Sequence, residues 1–302
     1  MRLVRFQRNG DTLPRHGALV GDDRVLDFTA PAADLHQPRE LLAWCDLNGA
    51  ALPAALELAR QLELQPSRRE ELVAALLPRE EVRLLAPVDM PGKVICIGLN
   101  YRDHAAESGM EIPERPLVFS KFGSCVVGPD DAVRLPEGES QTDYEAELAF
   151  VIGRHASRVP LERAMEHVLG YTNANDVSAR AFQFADGQWT RGKACDTFCP
   201  LGPFLLTADE VADPHQLRIG LRLNGRTMQD SRTDQLVFGI PELVVALSGF
   251  VTLEPGDVVL TGTPPGVGFA RKPPVYLQDG DVMEVEIEGL GVLRNTVSGS
   301  LI

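Results

Sequence analysis

Lysine is scarce in this 302-residue chain, which has four lysines beside 25 arginines. Its 29 basic residues are outnumbered by 43 acidic ones, so the formal net charge is −14. The sequence also has no basic run with interleaved aromatic residues. A chain with this charge is disfavoured as a partner of nucleic acids or of anionic membrane surfaces.

Long apolar runs are absent as well. No stretch approaches the roughly 18 to 20 apolar residues that a membrane span requires. The first six residues alternate charged and apolar side chains, and no secretory signal is predicted from them. We therefore expect a cytoplasmic protein, or one from an equivalent reducing compartment.

Cysteine is infrequent, and the five cysteines form an odd, scattered set: Cys45, Cys96, Cys125, Cys195 and Cys199. This distribution argues against a disulfide framework. Only the last two lie close together, and a single pair without a nearby histidine is a weak zinc signal.

The remaining composition, 44% hydrophobic and 24% charged, is that of a globular chain able to build a core. We expect residues 1–86 to form a small N-terminal domain. It would contain a strand at 25–28, and the apolar residues of 38–77 have the spacing typical of helices. Residues 87–302 predict the main domain, in which short β-rich runs are divided by glycine, proline, asparagine and aspartate. The predicted strands are 94–98, 148–152, 217–223, 258–260 and 283–287, and the predicted helices are 161–169 and 240–250. The pattern indicates a strand-dominated α+β fold, and it lacks the strand and long-helix alternation of a Rossmann fold or a TIM barrel.

Three acidic residues are candidate metal ligands. Glu145 and Glu147 stand two apart at the start of a predicted strand, so their side chains share one face. Asp176 follows another apolar run, where a strand is expected to end. Three carboxylates suit a hard cation such as Mg²⁺ or Mn²⁺. A solvated strand edge and an Asx turn are the alternatives.

Three further residues are candidates for catalysis. Lys193 is a rare lysine in a chain that mostly uses arginine, and its compact charge could face a substrate oxygen. His104 and Glu107 lie three residues apart on a predicted short helix that ends at Gly109, so the carboxylate can orient the imidazole as a general base. A surface lysine and a surface His–Glu pair are the alternatives.

A glycine- and proline-rich turn occupies residues 261–268, directly after a predicted strand. Its amides and hydroxyls could hold a carboxylate. It is not a P-loop, because the Lys-Ser/Thr ending is absent, and it lacks the third glycine of a dinucleotide site.

Together and in this order, these segments resemble the fumarylacetoacetate hydrolase superfamily over residues 93–297. Within this superfamily, the sequence most resembles the branch that contains the fumarylacetoacetate hydrolase domain-containing proteins of type 2 and bacterial diketo-deoxy-sugar-acid hydrolases. The motifs that carry the resemblance are Gly-Leu-Asn-Tyr-x-x-His-x-x-Glu, Asp-Tyr-Glu-x-Glu-Leu, Asn-Asp-Val-Ser-Ala-Arg, Gly-Lys-x-x-Asp-Thr-Phe and Thr-Gly-Thr-Pro-Pro-Gly-Val-Gly.

The resemblance implies a mixed β-roll catalytic domain with a small α/β N-terminal domain, in a homodimer. It also implies a role for each candidate. The metal ligands for one Mg²⁺ or Mn²⁺ would be Glu145, Glu147 and Asp176; the catalytic residues would be His104, Glu107 and Lys193; the substrate-binding residues would be Tyr101, Gln183 and Thr263.

The implied activity is cleavage of a C–C bond in 2,4-dioxo acids such as acylpyruvates, through an enolate that the metal and Lys193 stabilise. An oxaloacetate tautomerase or decarboxylase, or a 2-oxo-acid isomerase, is the close alternative, because the same enolate serves each reaction. A catalytically silent metabolite-binding protein is a remoter one, which the intact His104, Glu107 and Lys193 oppose.

Overall fold

The computed structural model describes residues 1–35, 41–65, 67–185 and 187–299. Within them the chain forms 19 strands, six α-helices and nine short 3₁₀ helices. The strands are β1 (Arg2–Arg8), β2 (Arg15–Val20), β3 (Arg24–Asp27), β4 (Leu76–Pro78), β5 (Val82–Leu85), β6 (Val94–Gly98), β7 (Leu117–Lys121), β8 (Val126–Val127), β9 (Ala132–Arg134), β10 (Thr142–Asp143), β11 (Ala146–Ile152), β12 (Val168–Asn175), β13 (Ser178–Ala179), β14 (Cys199–Thr207), β15 (Arg218–Leu223), β16 (Arg226–Arg232), β17 (Val258–Leu260), β18 (Val282–Ile287) and β19 (Val292–Ser298). The helices are α1 (Ala51–Leu64), α2 (Arg68–Glu71), α3 (Arg102–Ser108), α4 (Arg180–Ala185), α5 (Trp189–Lys193) and α6 (Ile240–Ser248). The predicted strand-dominated fold is confirmed.

The largest sheet has ten strands in a continuous order, β4-β3-β2-β1-β14-β12-β11-β17-β6-β7, with β5 and β8 paired beside it. Strands β11 and β12 lie near its centre, and every residue of both is buried. Both faces of the sheet are therefore covered at this point, which explains the continuous apolar run of β11 from Leu148 to Ile152.

A second sheet of five strands has the order β16-β15-β18-β19-β9. Its apolar side chains share one buried cluster with those of β11, β12 and α6. The cluster includes Phe150 and Tyr171 from the first sheet and Leu221 and Val285 from the second. The two sheets therefore enclose one hydrophobic core.

The strands of the first 86 residues continue the large sheet. Strand β1 pairs with β14 in antiparallel fashion, with Arg2 opposite Leu206 and Leu3 opposite Leu205. The N-terminal segment thus shares its sheet with the main body, and the domain boundary near residue 86 stays a prediction.

The predicted helical segment 38–77 is only partly helical. It contains α1, α2 and two 3₁₀ helices, Leu41–Cys45 and Val73–Ala75, and its end forms β4. Residues 36–40 and 66 lie outside the described part.

Most predicted elements of the main body are present. The five predicted strands correspond to β6, β11, β15, β17 and β18, and the second predicted helix to α6. The first predicted helix is a 3₁₀ helix at Leu161–His167. Asn224 and Gly225 have φ of 51° and 77°, as a type I′ hairpin turn requires.

Helices α4 and α5 were not predicted. They have six and five residues, which is too short for helical periodicity to show in a sequence. The described residues contain no helix of the length and apolarity that crossing a membrane requires.

Candidate active site

A cavity of about 440 Å³ opens beside the ends of the two central strands. Its polar wall contains most of the residues singled out from the sequence: His104, Glu107, Glu145, Glu147, Asp176, Gln183, Lys193 and Thr263. Its apolar wall consists of Ile97, Leu99, Met110, Phe119, Phe184, Trp189, Phe269 and Ala270. The fold therefore brings together candidates from distant parts of the sequence.

The three acids lie together at the ends of β11 and β12. Oxygen atoms of Glu145, Glu147 and Asp176 all lie within 4.8 Å of one another, and all three residues are buried. The antiparallel register pairs Ala146 with Asn175. Because that register places the start of one strand beside the end of the other, the acids that flank these two residues become neighbours.

Buried cations surround these acids. Lys193 Nζ donates to Glu145 Oε2 and to Asp176 Oδ2, both at 2.7 Å. Lys121 Nζ lies 2.7 Å from Asp176 Oδ1. The Arg180 guanidinium donates to Glu145 Oε1 at 2.5 Å. Glu145 and Asp176 are therefore each held by two cationic side chains.

Asp143 and Arg180 form a buried ion pair beside the acids, and Arg180 also lines the cavity. Arg180 donates to Asp143 Oδ2 through Nε at 3.0 Å and through Nη2 at 2.8 Å. Its Nη1 donates to Gln183 Oε1 at 3.0 Å, which fixes that cavity-lining amide. Arg180 thus orients Glu145 and Gln183 at once.

The pKa values of the two glutamates diverge. Burial alone would raise the pKa of Glu145, but Lys193 and Arg180 lower it to about 2. Burial raises the pKa of Glu147 well above its usual range, and Asp176 and Glu145 add to this rise. Glu147 accepts a hydrogen bond from the amide of Gly262 at 2.7 Å. It is the carboxylate that the neighbouring cations compensate least.

The donor set fits a divalent cation. Among the described residues of this cluster, four carboxylates (Asp143, Glu145, Glu147 and Asp176) face three cationic side chains. A buried excess of negative charge is costly without a counter-ion. Oxygen ligands of this kind are those that Mg²⁺ and Mn²⁺ prefer. Among the described residues, this triad is the one group of histidine, cysteine or acidic side chains with metal-binding geometry.

His104 and Glu107 form the predicted pair on α3. Helix α3 ends at Ser108 and is capped by Gly109, whose φ of 63° is the left-handed conformation common at helix C-termini. His104 Nδ1 lies 3.1 Å from Glu107 Oε2. When Nδ1–H donates a hydrogen bond to this carboxylate, the neutral ring has an unprotonated Nε2 that can accept a proton.

The loop at 261–268 differs in part from its prediction. Three of its amides bind carboxylates of the chain itself, whereas the side chain of Thr263 lines the cavity. Gly262 N donates to Glu147, Gly266 N donates to Glu107 at 3.0 Å, and Gly268 N donates to Asp143 at 2.7 Å. The loop therefore positions acidic side chains of the site.

Two of the three predicted substrate-binding residues reach the cavity. Gln183 and Thr263 line it, whereas Tyr101 is fully buried in the main hydrophobic cluster. The Tyr101 hydroxyl has no hydrogen-bond partner among the described residues. The structure does not bring Tyr101 to the cavity wall.

Sequence reasoning missed three residues of the site: Lys121, Arg180 and Asp143. A signal existed for Lys121, because it is one of four lysines, and the same scarcity singled out Lys193. Lys121 Nζ also donates to the backbone carbonyls of Val177, Lys193 and Phe198. Asp143 and Arg180 lie within the quoted motifs, yet nothing in their spacing shows that they pair.

Comparison with known proteins finds relatives along nearly the whole chain. The family model described as fumarylacetoacetate (FAA) hydrolase C-terminal matches residues 93–298. A mitochondrial oxaloacetate tautomerase from Xenopus laevis is 45% identical over 98% of this chain and 90% of its own length. Its human counterpart is 45% identical over 98% of this chain and 91% of its own length.

Two solved structures also match. A fumarylacetoacetate hydrolase from Exiguobacterium antarcticum is 37% identical with a TM-score of 0.81, covering 99% of this chain and 100% of that one. A 5-carboxymethyl-2-hydroxymuconate delta-isomerase from Mycobacterium smegmatis is 35% identical with a TM-score of 0.77 over the same shares. Similar chains thus carry the names of a tautomerase, a hydrolase and an isomerase.

Proposed function

This chain is an enzyme of the fumarylacetoacetate hydrolase family, and from that premise we propose that it interconverts the keto and enol forms of oxaloacetate or of a closely related 2-oxo acid, with a divalent cation as cofactor. The sequence alone put C–C hydrolysis first and tautomerisation second. The names of the full-length relatives support the reverse order.

One observation carries the proposal: a buried carboxylate triad, an ammonium group and a histidine–glutamate pair line a single cavity. Glu145, Glu147 and Asp176 would hold a Mg²⁺ or Mn²⁺ ion. When bound, such an ion polarises the oxygens of a 2-oxo acid and makes the adjacent carbon more acidic.

The protein's own side chains then move the proton. His104 Nε2 takes a proton from C3 of the keto form and returns it to the C2 oxygen to give the enol, and the reverse reaction moves the proton from that oxygen back to C3. Glu107 holds the imidazole in the required tautomer and stabilises its charged form. Lys193 Nζ provides positive charge where negative charge develops on the C2 oxygen. The apolar wall excludes water from this exchange.

A turnover assay tests the proposal. EDTA-treated protein is mixed with enol-oxaloacetate, with and without added Mg²⁺ or Mn²⁺, and the loss of the enol absorbance is followed. We expect the added cation to restore a fast loss, and His104→Ala to abolish it. Unchanged turnover after both cation removal and His104→Ala would contradict the site assignment.

Cleavage of a C–C bond in 2,4-dioxo acids is the second candidate. The His104–Glu107 pair favours it, because a base oriented in this way can activate water. Acetylpyruvate distinguishes the two reactions: cation-restored release of pyruvate would establish a hydrolase. Loss of enol-oxaloacetate without pyruvate release from acetylpyruvate would assign the tautomerase alone.

A homodimer and a reducing compartment complete the proposal. The edge strand β7 and a nearby turn expose Leu117, Val118, Phe122 and Phe250, and a second copy of the chain would cover such apolar groups. Light scattering of the purified protein measures whether it is a dimer in solution. All five cysteines are free, which is consistent with the cytoplasm; the tautomerase relatives are named as mitochondrial.

A further inference from the structure

One buried amide side chain, that of Gln229, connects the acidic cluster to the loop that carries Thr263. Gln229 is 1% exposed. Its Oε1 accepts a hydrogen bond from Ala146 N at 2.8 Å, and its Nε2 donates to Thr263 Oγ1 and to Pro264 O, both at 2.8 Å. Since Ala146 lies between Glu145 and Glu147, this one amide links the ligand-bearing strand to Thr263.

The orientation of the Gln229 amide is fixed by its partners. A backbone N–H can only donate and a backbone carbonyl can only accept. The oxygen must therefore face Ala146, and the nitrogen must face Pro264 and Thr263. Both protons of the amide nitrogen are used.

This orientation determines what the Thr263 hydroxyl can do. A hydroxyl has one proton to donate and lone pairs that accept. Because Oγ1 accepts from Gln229, its own proton is left for another acceptor. In the described part of the chain the structure gives this hydroxyl only the bond from Gln229, and Thr263 lines the cavity. The proton is thus available to an oxygen atom of a ligand.

A local irregularity of β16 turns Gln229 inward. In a regular strand, Met228 and Gln229 would point to opposite faces, yet both are buried. Opposite them, Leu221 pairs with Gln229 and Arg222 pairs with Thr227, so Met228 is an extra residue. Bulges of this kind redirect side chains next to functional sites.

We propose that Gln229 is a positioning residue that holds Thr263 so that its hydroxyl donates a hydrogen bond to a carboxylate or oxo oxygen of the bound 2-oxo acid. The inference rests on the proposed function of the same cavity. Gln229 is not among the residues that line the cavity. It therefore acts through Thr263 rather than by touching the substrate.

A double-mutant cycle tests the connection. Steady-state kinetics on enol-oxaloacetate with Mg²⁺ are measured for the wild type, Thr263→Val, Gln229→Met and the double variant. We expect each single change to raise KM about tenfold, as the loss of one hydrogen bond predicts, with little change in kcat. We expect the double variant to equal the single variants. If the two effects were independent, their free energies would add and the KM of the double variant would rise about a hundredfold. That result would overturn the proposal, as would an unchanged KM in Thr263→Val.

The variant Gln229→Glu tests the direction of the hydrogen bond. Glutamate has nearly the same shape and still accepts from Ala146 N, but an ionised carboxylate cannot donate to Thr263. The hydroxyl would then donate to the introduced carboxylate instead of to the ligand. We expect KM to rise as in Thr263→Val at a pH where the introduced acid is ionised, and the melting temperature to fall, because that charge is buried and faces the Pro264 carbonyl. A wild-type KM would contradict the inference.

Two further measurements complete the design. Gln278→Met removes an exposed glutamine whose amide also donates to two backbone carbonyls, and we expect it to leave KM unchanged. Oxalate, which resembles the carboxylate end of a 2-oxo acid, is titrated calorimetrically with Mg²⁺ present. Weaker oxalate binding in both Thr263→Val and Gln229→Met supports the inference even if oxaloacetate is not turned over, whereas wild-type affinity in both refutes it. Absence of turnover in the wild type counts against the proposed function alone.

Discussion

Glu147 differs from the other two acids of the triad in the partners that it has. Glu145 and Asp176 each contact two cationic side chains, whereas Glu147 accepts its hydrogen bond from the backbone amide of Gly262. Glu147 is also 1% exposed, so water cannot stabilise its charge. The role that we propose for a divalent cation is therefore most sensitive to this residue.

We expect Glu147→Gln to remove cation binding without loosening the fold. Glutamine keeps an acceptor for the Gly262 amide and places no charge beside Asp176 and Glu145. Replacement of residues next to a metal ligand costs up to about a hundredfold in affinity or activity, and loss of a ligand is expected to cost at least as much. Melting curves with and without MnCl₂, together with the turnover assay, check this.

The matched control is Glu137→Gln, at a glutamate outside the cavity. It should retain both the cation-dependent rise in melting temperature and the activity. An equal rise in melting temperature for Glu147→Gln would show that Glu147 is not a ligand.

The buried side chain of His16 should make the free energy of unfolding depend on pH, independently of the cavity. Burial lowers the pKa of His16 from 6.5 to about 4, and the nearby Arg5 adds to this effect. The unfolded chain then binds more protons than the folded chain between these two values. The free energy of unfolding should fall as the pH drops from about 6.5 to about 4, by roughly 3 kcal/mol in all.

Urea denaturation of His16→Phe at several pH values measures this contribution. Phenylalanine retains an aromatic ring beside Trp44, which His16 stacks against, and does not titrate. The variant should lose less stability on acidification than the wild type, whereas His155→Gln, at an exposed histidine, should behave like the wild type. Parallel pH curves for the wild type and His16→Phe would refute the assignment.

At the scale of elements, the loop at 261–268 donates backbone hydrogen bonds to three acidic side chains. Its amides reach Glu147, Glu107 and Asp143, which come from two different parts of the chain. Gly266 has a φ of 102°, and a Cβ there would lie 2.1 Å from Met228 O. The loop can therefore take this path only with glycine at that position.

We expect Gly266→Ala to reduce both stability and turnover. The added methyl group must displace the backbone, and the strained φ costs about 1 to 3 kcal/mol in addition. Displacement of the loop also removes the amide that orients Glu107. Melting temperature and kcat report the two effects.

Gly280→Ala is the matched control, because Gly280 also has a positive φ, 84°, but a Cβ there would meet no atom within 4 Å. It should show a smaller loss of stability and normal turnover. Equal effects of the two changes would mean that the close contact at Gly266 does not matter.

Short elements were also where sequence reasoning was weakest. Strand β11 was found because the run from Leu148 to Ile152 is apolar, and for β12 only the strand end before Asp176 was expected. Helices α4 and α5 carry Arg180, Gln183 and Lys193, yet each is under two turns long. Their helicity depends on packing against the neighbouring strands, and such tertiary contacts leave no periodic signal in the sequence.

On the scale of the whole molecule, the first 86 residues are bound into the large sheet through β1 and β14. The terminal amino group of Met1 also donates to Thr207 Oγ1 at 2.6 Å. One buried cluster joins side chains of α1, such as Leu52 and Leu62, to side chains of β14 such as Leu201. The N-terminal segment therefore covers apolar surface of the main body.

We expect a chain that begins at residue 87 to be insoluble or unfolded. Its strand β14 would have an exposed edge, and the apolar surface under α1 would face water. Expression of residues 87–302, with circular dichroism of any soluble fraction, is the measurement. A folded fragment that binds Mn²⁺ would instead establish residues 87–302 as a domain that folds on its own.

By itself the sequence determined the fold class and most strands of the main body, because these depend on local patterns such as alternation and apolar runs. It also named the acidic triad and the His104–Glu107 pair as candidates, but their local patterns left alternatives open, and only the order of several motifs, through the family resemblance, favoured a role in the site. Only the tertiary structure decided which partners each charge has, because pairings such as Arg180 with Asp143 and Lys121 with Asp176 join residues far apart in the chain. It also decided that Tyr101 is buried in the core, that the 261–268 amides bind the chain's own acids, and that a bulge turns Gln229 inward. Those outcomes follow from how strands, helices and loops from distant parts of the chain pack together, which no local run of residues encodes.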